Sequence, residues 1–343
     1  MELLSAYEEV KSRIDRIDFS ALWAGFAPFK FALYTGQDCV LDGCSLETPD
    51  TFVANTSLEY EGEHIAIWSL LEFEGDFDSL AASIVHEMFH AFQNASGECR
   101  WADEKAALFD YRYAAGNISM KISEASLMKD VLVTGNGKSF AELLALRRMR
   151  ADTYPAEYDY EARVEQIEGS ANYVELKALS QLNPQAGASA WENVLSRLED
   201  PANYTPIRQI SYYVGAALLR CIDTCTSMDY CQFDSIPYSV KVIEQIAPTT
   251  RFPRIDPKVS ACIDSFAEST RRIVQGALSK HEIVLQGAYP LCSLNIWDAR
   301  WDGTYAISNY FVSYYDGPET KVLYGNFVIE LGRDRIIRTV YNQ

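Results

Sequence analysis

The sequence predicts an α+β protein, mainly helical through its middle, with a short sheet at the amino end and a small antiparallel sheet at the carboxyl end. Three observations carry this. From 76 to about 225, apolar residues recur at three- and four-residue spacing between Gly, Pro, Asp and Asn, as in helices with one buried face. Before that stretch lie short runs of strand-forming residues, clearest at 64–69 (HIAIWS). Beyond His281 the residues turn rich in Tyr, Trp, Phe, Ile and Val in brief alternating runs.

Taken in order, a helix is expected near 1–16 and strands near 29–34, 51–54 and 64–69. Helices follow near 79–94, 103–115, 139–151, 157–182, 188–199 and 207–223, and one more near 257–279 precedes the second sheet. In that sheet, YAISNYFVSYYDGPETKVLYGNFVIEL reads as a hairpin of two long strands turning at Asp316-Gly317-Pro318. A boundary near 280 divides the chain into residues 1–280, where the chemistry lies, and an antiparallel region, 281–343. With 343 residues, 48% of them apolar, the chain can bury about three quarters of its unfolded surface.

Charge and cysteine usage narrow the function classes. Lys+Arg number 30 against Asp+Glu 48, and the resulting net charge of −18 repels phosphate backbones and anionic lipid. Neither nucleic acid nor a membrane is therefore an expected partner. The amino terminus, MELLSAYEEVKSRIDRIDF, is charged from Glu2 onward and lacks the basic and apolar regions of a signal peptide, and no uncharged apolar run is long enough to span a bilayer. A cytoplasmic location is expected. The eight cysteines lack the density of a disulfide framework, so reduced thiols are expected. Cys221, Cys225 and Cys231 have no second close Cys or His pair to complete a structural zinc site.

One string carries chemistry. Residues 83–93, SIVHEMFHAFQ, contain H-E-x-x-H and hold two of the chain's four histidines. On a helix, Leu80, Ile84, Met88 and Phe92 form a buried stripe at four-residue spacing, while His86 and His90 stand one turn apart on another face. Two imidazoles so placed can grip a single ion, and zinc (Zn2+) accepts such nitrogens at about 2.0–2.1 Å. Glu87 projects about 100° around the helix from His86, beside the metal, where a general base would take a proton from the attacking water. A catalytic zinc site needs a third protein ligand. Gln93 and Ser96 stand where a metzincin needs Gly and His, and His64 and His281 lie at no recognised spacing, so the ligand should be a carboxylate or a thiolate.

Residues 168–175, EGSANYVE, resemble the E-G-x-A-x-Y segment that follows H-E-x-x-H in gluzincin metallopeptidases, and VHEMFHAFQ is similar to the V-H-E-x-x-H-A-x-Q wording of bacterial zinc peptidases of that group. The resemblance covers about 60–225. It implies a zincin-like fold, Glu168 as third zinc ligand beside His86 and His90, and hydrolysis of a peptide or protein substrate with Glu87 as base. Gly169 and Ala171 would let the helix near 157–182 approach the helix of His86 closely, with Ile167, Ala171, Val174 and Ala178 as its buried stripe. Glu161, Glu165, Glu168 and Glu175 share a face, which a merely solvated helix would also present. For the developing oxyanion the candidates are Tyr173, which comes with the resemblance, and Tyr212 and Tyr213, with Tyr212 taken as the partner.

Two other readings stand beside this one. Asp42-Gly43-Cys44-Ser45 resembles the E-G-C segment of peptide deformylases, which also carry H-E-x-x-H; it implies a metal-dependent amidase with Cys44 as ligand. A non-catalytic module would instead bind peptides or proteins through the carboxyl-terminal sheet. The strand 64–69, with His64 on one side, is expected as an edge along which extended peptide could pair. Arg147, Arg148 and Arg150, the compact basic cluster, are expected to pair with neighbouring carboxylates.

Overall fold

The computed structural model describes residues 2–71, 73–249 and 251–343, and the architecture is α+β. Helix α1 (Leu3–Ile14) turns Ala6, Tyr7, Val10 and Ile14 inward, and the single turn α2 (Phe19–Leu22) follows, capped by Asp18. Five strands come next: β1 (Phe31–Tyr34), β2 (Asp38–Leu41), β3 (Cys44–Glu47), β4 (Thr56–Tyr60) and β5 (Glu63–Ser69). They lie in the order β3-β2-β1-β5-β4, with β1 and β5 parallel and the other neighbours antiparallel. Two expectations change here. Residues 51–54 form no strand; Phe52 instead plugs the sheet face between Tyr34 and Tyr60 at ring distances of 5.7 and 5.4 Å. The edge is β4 rather than the strand at 64–69, which is β5 and is paired on both sides.

Helix α3 (Phe77–Ala95) carries the H-E-x-x-H string and starts where the Asp76 side chain accepts a hydrogen bond from the Ser79 backbone N–H at 2.8 Å. Then come α4 (Glu104–Asp110), α5 (Ala115–Thr134), α6 (Gly137–Thr153) and α7 (Pro155–Val164). A π-helical turn, Glu165–Gly169, joins α7 to α8 (Ser170–Leu182). The rest of the helical region is α9 (Pro184–Glu199), a 3-10 turn at Pro201–Tyr204, α10 (Ile207–Cys225), the short α11 (Tyr238–Lys241) and α12 (Pro257–Lys280). The segment expected as one helix near 103–115 is therefore α4 and the first residue of α5. The periodicity of α5 itself is hidden because Asn117, Lys121 and Glu124 lie on its buried side with Ile118, Met128 and Val131.

Those polar residues belong to an ion network inside the helical core. Lys121, Arg147 and Arg150 meet Glu124, Glu161 and Glu165, and all six side chains are fully buried. Lys121 Nζ lies 2.7 Å from Glu161 and 3.1 Å from Glu165, while Arg150 Nη1 lies 2.6 Å from Glu161 and Arg147 Nη2 lies 2.6 Å from Glu165. Of the three clustered arginines, only Arg148 pairs at the surface, with Asp152. Burial alone would raise the Glu161 and Glu165 carboxyls, but Arg150 and Lys121 at the first, and Arg147 and Lys121 at the second, hold both below the usual carboxylate value.

The carboxyl-terminal sheet contains β6 (Ile283–Leu294), β7 (Arg300–Trp301), β8 (Tyr305–Ser308), β9 (Phe311–Asp316), β10 (Glu319–Tyr324), β11 (Phe327–Leu331) and β12 (Ile336–Asn342). Their order is β10-β9-β6-β12-β11-β8-β7, and every pairing is antiparallel. The turn opposes Asp316 to Glu319 as expected, but each long strand of the anticipated hairpin is two strands. Tyr310 (φ 70°) and Gly325 (φ 144°) break them side by side, and β8 and β11 then pair with each other. Val274 and Ala277 of α12 pack on Ile307 and Val328 of the sheet, and Phe109 of α4 meets Trp301 edge to face at 4.9 Å. No helix among the described residues is long and apolar enough to cross a membrane.

The network sets two stability expectations. Lys121→Met leaves Glu161 and Glu165 short of a counter-charge and should cost about 3–5 kcal/mol by urea denaturation, whereas Arg148→Ala should stay within about 0.5 kcal/mol. Because the folded pKa values of Glu161 and Glu165 are depressed, their contribution is complete above the unfolded value of 4.5 and fades as pH falls below it. The midpoint of urea unfolding should therefore drop on acidification below about pH 4.5, and drop less in the Glu165→Gln variant.

Candidate metal centre

His86 and His90 sit one turn apart on α3, with ring centroids 4.9 Å apart. The backbone that holds them is fixed by burial of Leu80, Ile84, Val85, Met88 and Phe89 on the opposite side. Glu168 arrives from the π-helical turn, and one ligand atom from each of the three residues lies within 4.8 Å of the others. In detail, Nε2 of His86 and Nε2 of His90 are 3.2 Å apart, and Glu168 Oε2 is 3.2 Å from the latter and 3.8 Å from the former.

Hydrogen bonds behind the rings assign their lone pairs. Gln93 donates its amide to the Ile167 carbonyl oxygen at 3.1 Å, an atom that can only accept, so its own Oε1 must face His90 Nδ1 at 2.8 Å. Glu175 Oε2 lies 3.0 Å from His86 Nδ1, and Ser83 donates to its other oxygen at 2.9 Å. Both Nδ1 atoms are thereby donors, and in the neutral rings both Nε2 atoms carry lone pairs aimed at one another. Two neutral acceptors do not bond at 3.2 Å; either a proton on one ring or a cation between them satisfies the pair. Tetrahedral zinc with arms of about 2.0–2.1 Å has ligand-to-ligand edges of about 3.3–3.4 Å, close to the two 3.2 Å spacings and shorter than the 3.8 Å between Glu168 and His86. The donor set of two imidazoles and a carboxylate fits that ion, and Glu175 and Gln93 are outer-shell partners of the kind that orient metal-bound histidines.

The electrostatics favour positive charge at the two rings, whether a proton or a metal ion. Burial opposes protonation of His86 and His90, but Glu168, aided at His86 by Glu175, outweighs it and raises both above their ordinary value. A proton and a metal ion thus compete for the same Nε2 lone pairs. Burial alone would raise Glu168 as well, yet His90 and the Arg208 guanidinium hold it well below the usual range, with Arg208 Nη2 2.8 Å from Glu168 Oε1. Burial pushes the Glu87 carboxyl up, against the attraction of His90 and His86.

His86, Glu87, His90, Glu168 and Tyr212 line a single cleft of about 530 Å³, together with Asn55, Thr56 and Ser57 at the start of edge strand β4 and with Trp101 and Trp297. Tyr212 stacks under Arg208 at 5.3 Å and meets Trp297 at 5.2 Å, and burial with the nearby Glu168 pushes its hydroxyl pKa well above normal. The other candidates lie elsewhere. Tyr173 turns its hydroxyl to Asp223, Tyr213 lies under Arg197, and His64 on β5 is not part of the cleft lining. Cys44 is exposed on β3, four strand spacings or about 19 Å across the sheet from β4. The face shared by Glu161, Glu165, Glu168 and Glu175 is not solvated: the first two are in the ion network and the last two serve the histidines. Gly169 packs not on α3 but on Gly215 of α10.

Sequence reasoning passed over Gln93, Glu175, Arg208 and Trp297 as site residues. Gln93 and Glu175 carried a usable signal, being three residues after His90 and seven after Glu168, on the same helix faces. Compared with family models, curated proteins and solved structures, the chain matches none.

Gln93→Leu removes the acceptor that orients His90 and should weaken zinc binding about 10–100-fold in competition with a chelating dye. A change of less than about threefold would show that the ring is held by packing alone.

Proposed function

We propose that this chain is a zinc-dependent peptidase of the gluzincin type with a zincin-like fold, and that it acts in the cytoplasm, where its eight unpaired cysteines stay reduced. The observation that carries the reading is the convergence of two outward-braced Nε2 lone pairs and the Glu168 carboxylate at spacings suited to one tetrahedral ion. His86, His90 and Glu168 would hold zinc. Bound there, zinc supplies a Lewis acid that polarises a carbonyl and acidifies water.

The rest of the work falls to side chains of the cleft. Glu87 stands one residue from His86 on the same helix, and its burial keeps the carboxylate basic enough to take a proton from the attacking water and return it to the leaving amine. Tyr212 keeps its proton because burial and Glu168 raise its pKa, so its hydroxyl can donate a hydrogen bond to the carbonyl oxygen as charge develops. The N–H and C=O groups of edge strand β4 offer an extended peptide an antiparallel partner beside these groups. Trp101 and Trp297 provide flat apolar contact for its side chains.

Metal analysis and a mixed peptide library test this together. Wild type and Cys44→Ala should each carry one zinc, Glu168→Ala should lose it, and Glu87→Gln should keep it while hydrolysis falls at least about 100-fold. Zinc lost from Cys44→Ala but kept by Glu168→Ala would assign a deformylase-like amidase instead. Zinc-loaded wild type that cleaves nothing would favour a peptide-binding module.

A further inference from the structure

A larger cavity, of about 660 Å³, lies between the helical region and the carboxyl-terminal sheet. Its walls are apolar at Leu108 and Phe109 of α4, Phe266 of α12 and Trp301 of β7. At one end stands Arg208, only 8% exposed. Its Nη2 is committed to Glu168, but Nε and Nη1 find no hydrogen-bond acceptor among the described residues. Nη1 lies 3.1 Å from Glu104 Oε1, near enough for attraction but out of line for a hydrogen bond. Arg300 also lines the cavity, its guanidinium 4.7 Å over the Phe266 ring, and its contact with a polar side chain is a 3.3 Å hydrogen bond to Ser269 Oγ.

The charge balance is unlike that of the whole molecule. The walls carry Lys105, Arg208, Arg271 and Arg300 with Glu104 and Asp302, and once Glu168 and Glu268, the partners of Arg208 and Arg271, are included the charges come to four against four, a neutral pocket in a chain of net charge −18. Buried donors without acceptors, and an arginine with no carboxylate partner among the described residues, call for an anion, while the aromatic and aliphatic walls call for an apolar body. We propose that this cavity is a second ligand site, distinct from the metal cleft, that takes an organic monoacid with an apolar body, its carboxylate drawn to Arg300 and to the spare donors of Arg208. The site does not depend on the metal: Arg208 is the wall shared with the metal centre, and the ligand touches its other side.

Isothermal titration calorimetry on the full chain, with zinc loaded and with zinc chelated, uses 2-naphthoate and octanoate against the neutral 2-naphthamide and octanamide. Each acid should bind at least about tenfold more tightly than its amide, in both forms of the protein. Arg300→Met keeps the stem over Phe266 and should remove most of that preference. Ala267→Trp fills the cavity and should abolish binding of acid and amide alike; circular dichroism checks its folding, and Arg300→Met decides the matter if it fails. The proposal is overturned if acid and amide bind equally, if neither acid binds below roughly 5 mM, or if Arg300→Met binds both acids as wild type does. Binding lost on chelation overturns it too, since the probes would then sit on zinc. Peptide hydrolysis enters none of these readouts, so failure here and failure of the peptidase assignment remain separate results.

Discussion

A carboxylate buried among packed helices must be met by positive charge, because an unpaired ion there costs several kcal/mol. The rod formed by α7, the π turn and α8 buries such groups at two places and answers them differently. Glu161 and Glu165, with Glu124, face Lys121, Arg147 and Arg150, three charges against three. Farther along, Glu168 and Glu104 meet the guanidinium of Arg208, while Glu175 and Glu87 stand beside His86 and His90. This second group has a surplus of negative charge. Two imidazoles with their Nδ1 protons turned outward stand at the same spot, and a divalent cation would offset the surplus with both Nε2 lone pairs as ligands.

The π turn is what divides the rod. In an unbroken α-helix Glu161, Glu165, Glu168 and Glu175 would share one face, and a charge balanced for two of them would have to serve all four. One extra residue in a turn rotates everything beyond it by about 100°. Glu161 and Glu165 can thus point into the ion network while Glu168 and Glu175 point to α3. π turns recur at functional sites for this reason: they aim side chains that regular spacing would align elsewhere.

How much of this was legible in the sequence follows from the same charges. Helices with an apolar face, such as α3, α9 and α10, declare themselves by period, and H-E-x-x-H on α3 announces two candidate ligands because a helix fixes their spacing. Glu168 was found through a resemblance, since 77 residues separate it from His90 and no local rule spans them. Those residues hold α4 to α7, and α5 was missed because its buried face is partly ionic, so polarity no longer marks the outside. Strand β4 was missed for a related reason. It is short and half-exposed, and the apolar residue near it, Phe52, packs from a loop. The split of the final hairpin into four strands depends on Tyr310 and Gly325 facing each other across the turn, a pairing that exists only once the fold has formed.

Glu168, the proposed third ligand, is the part of the site that packing, rather than helix geometry, has to fix. His86 and His90 are bound to one spacing by a single helical turn, but Glu168 reaches them from another element, so its distance depends on where the π turn lies. That position is set by the contact between Gly169 and Gly215. A Cβ on Gly169 would stand 2.6 Å from the Gly215 Cα, and one on Gly215 would stand 2.7 Å from the Gly169 Cα, so the two backbones touch as closely as glycine allows. The same contact draws in α10, which carries Arg208 against one oxygen of Glu168 and Tyr212 into the cleft. A methyl group on either glycine would push α10 and the π turn apart and move Glu168, Arg208 and Tyr212 together. The glycine that follows Glu168 therefore matters less for its own flexibility than for the helix it admits.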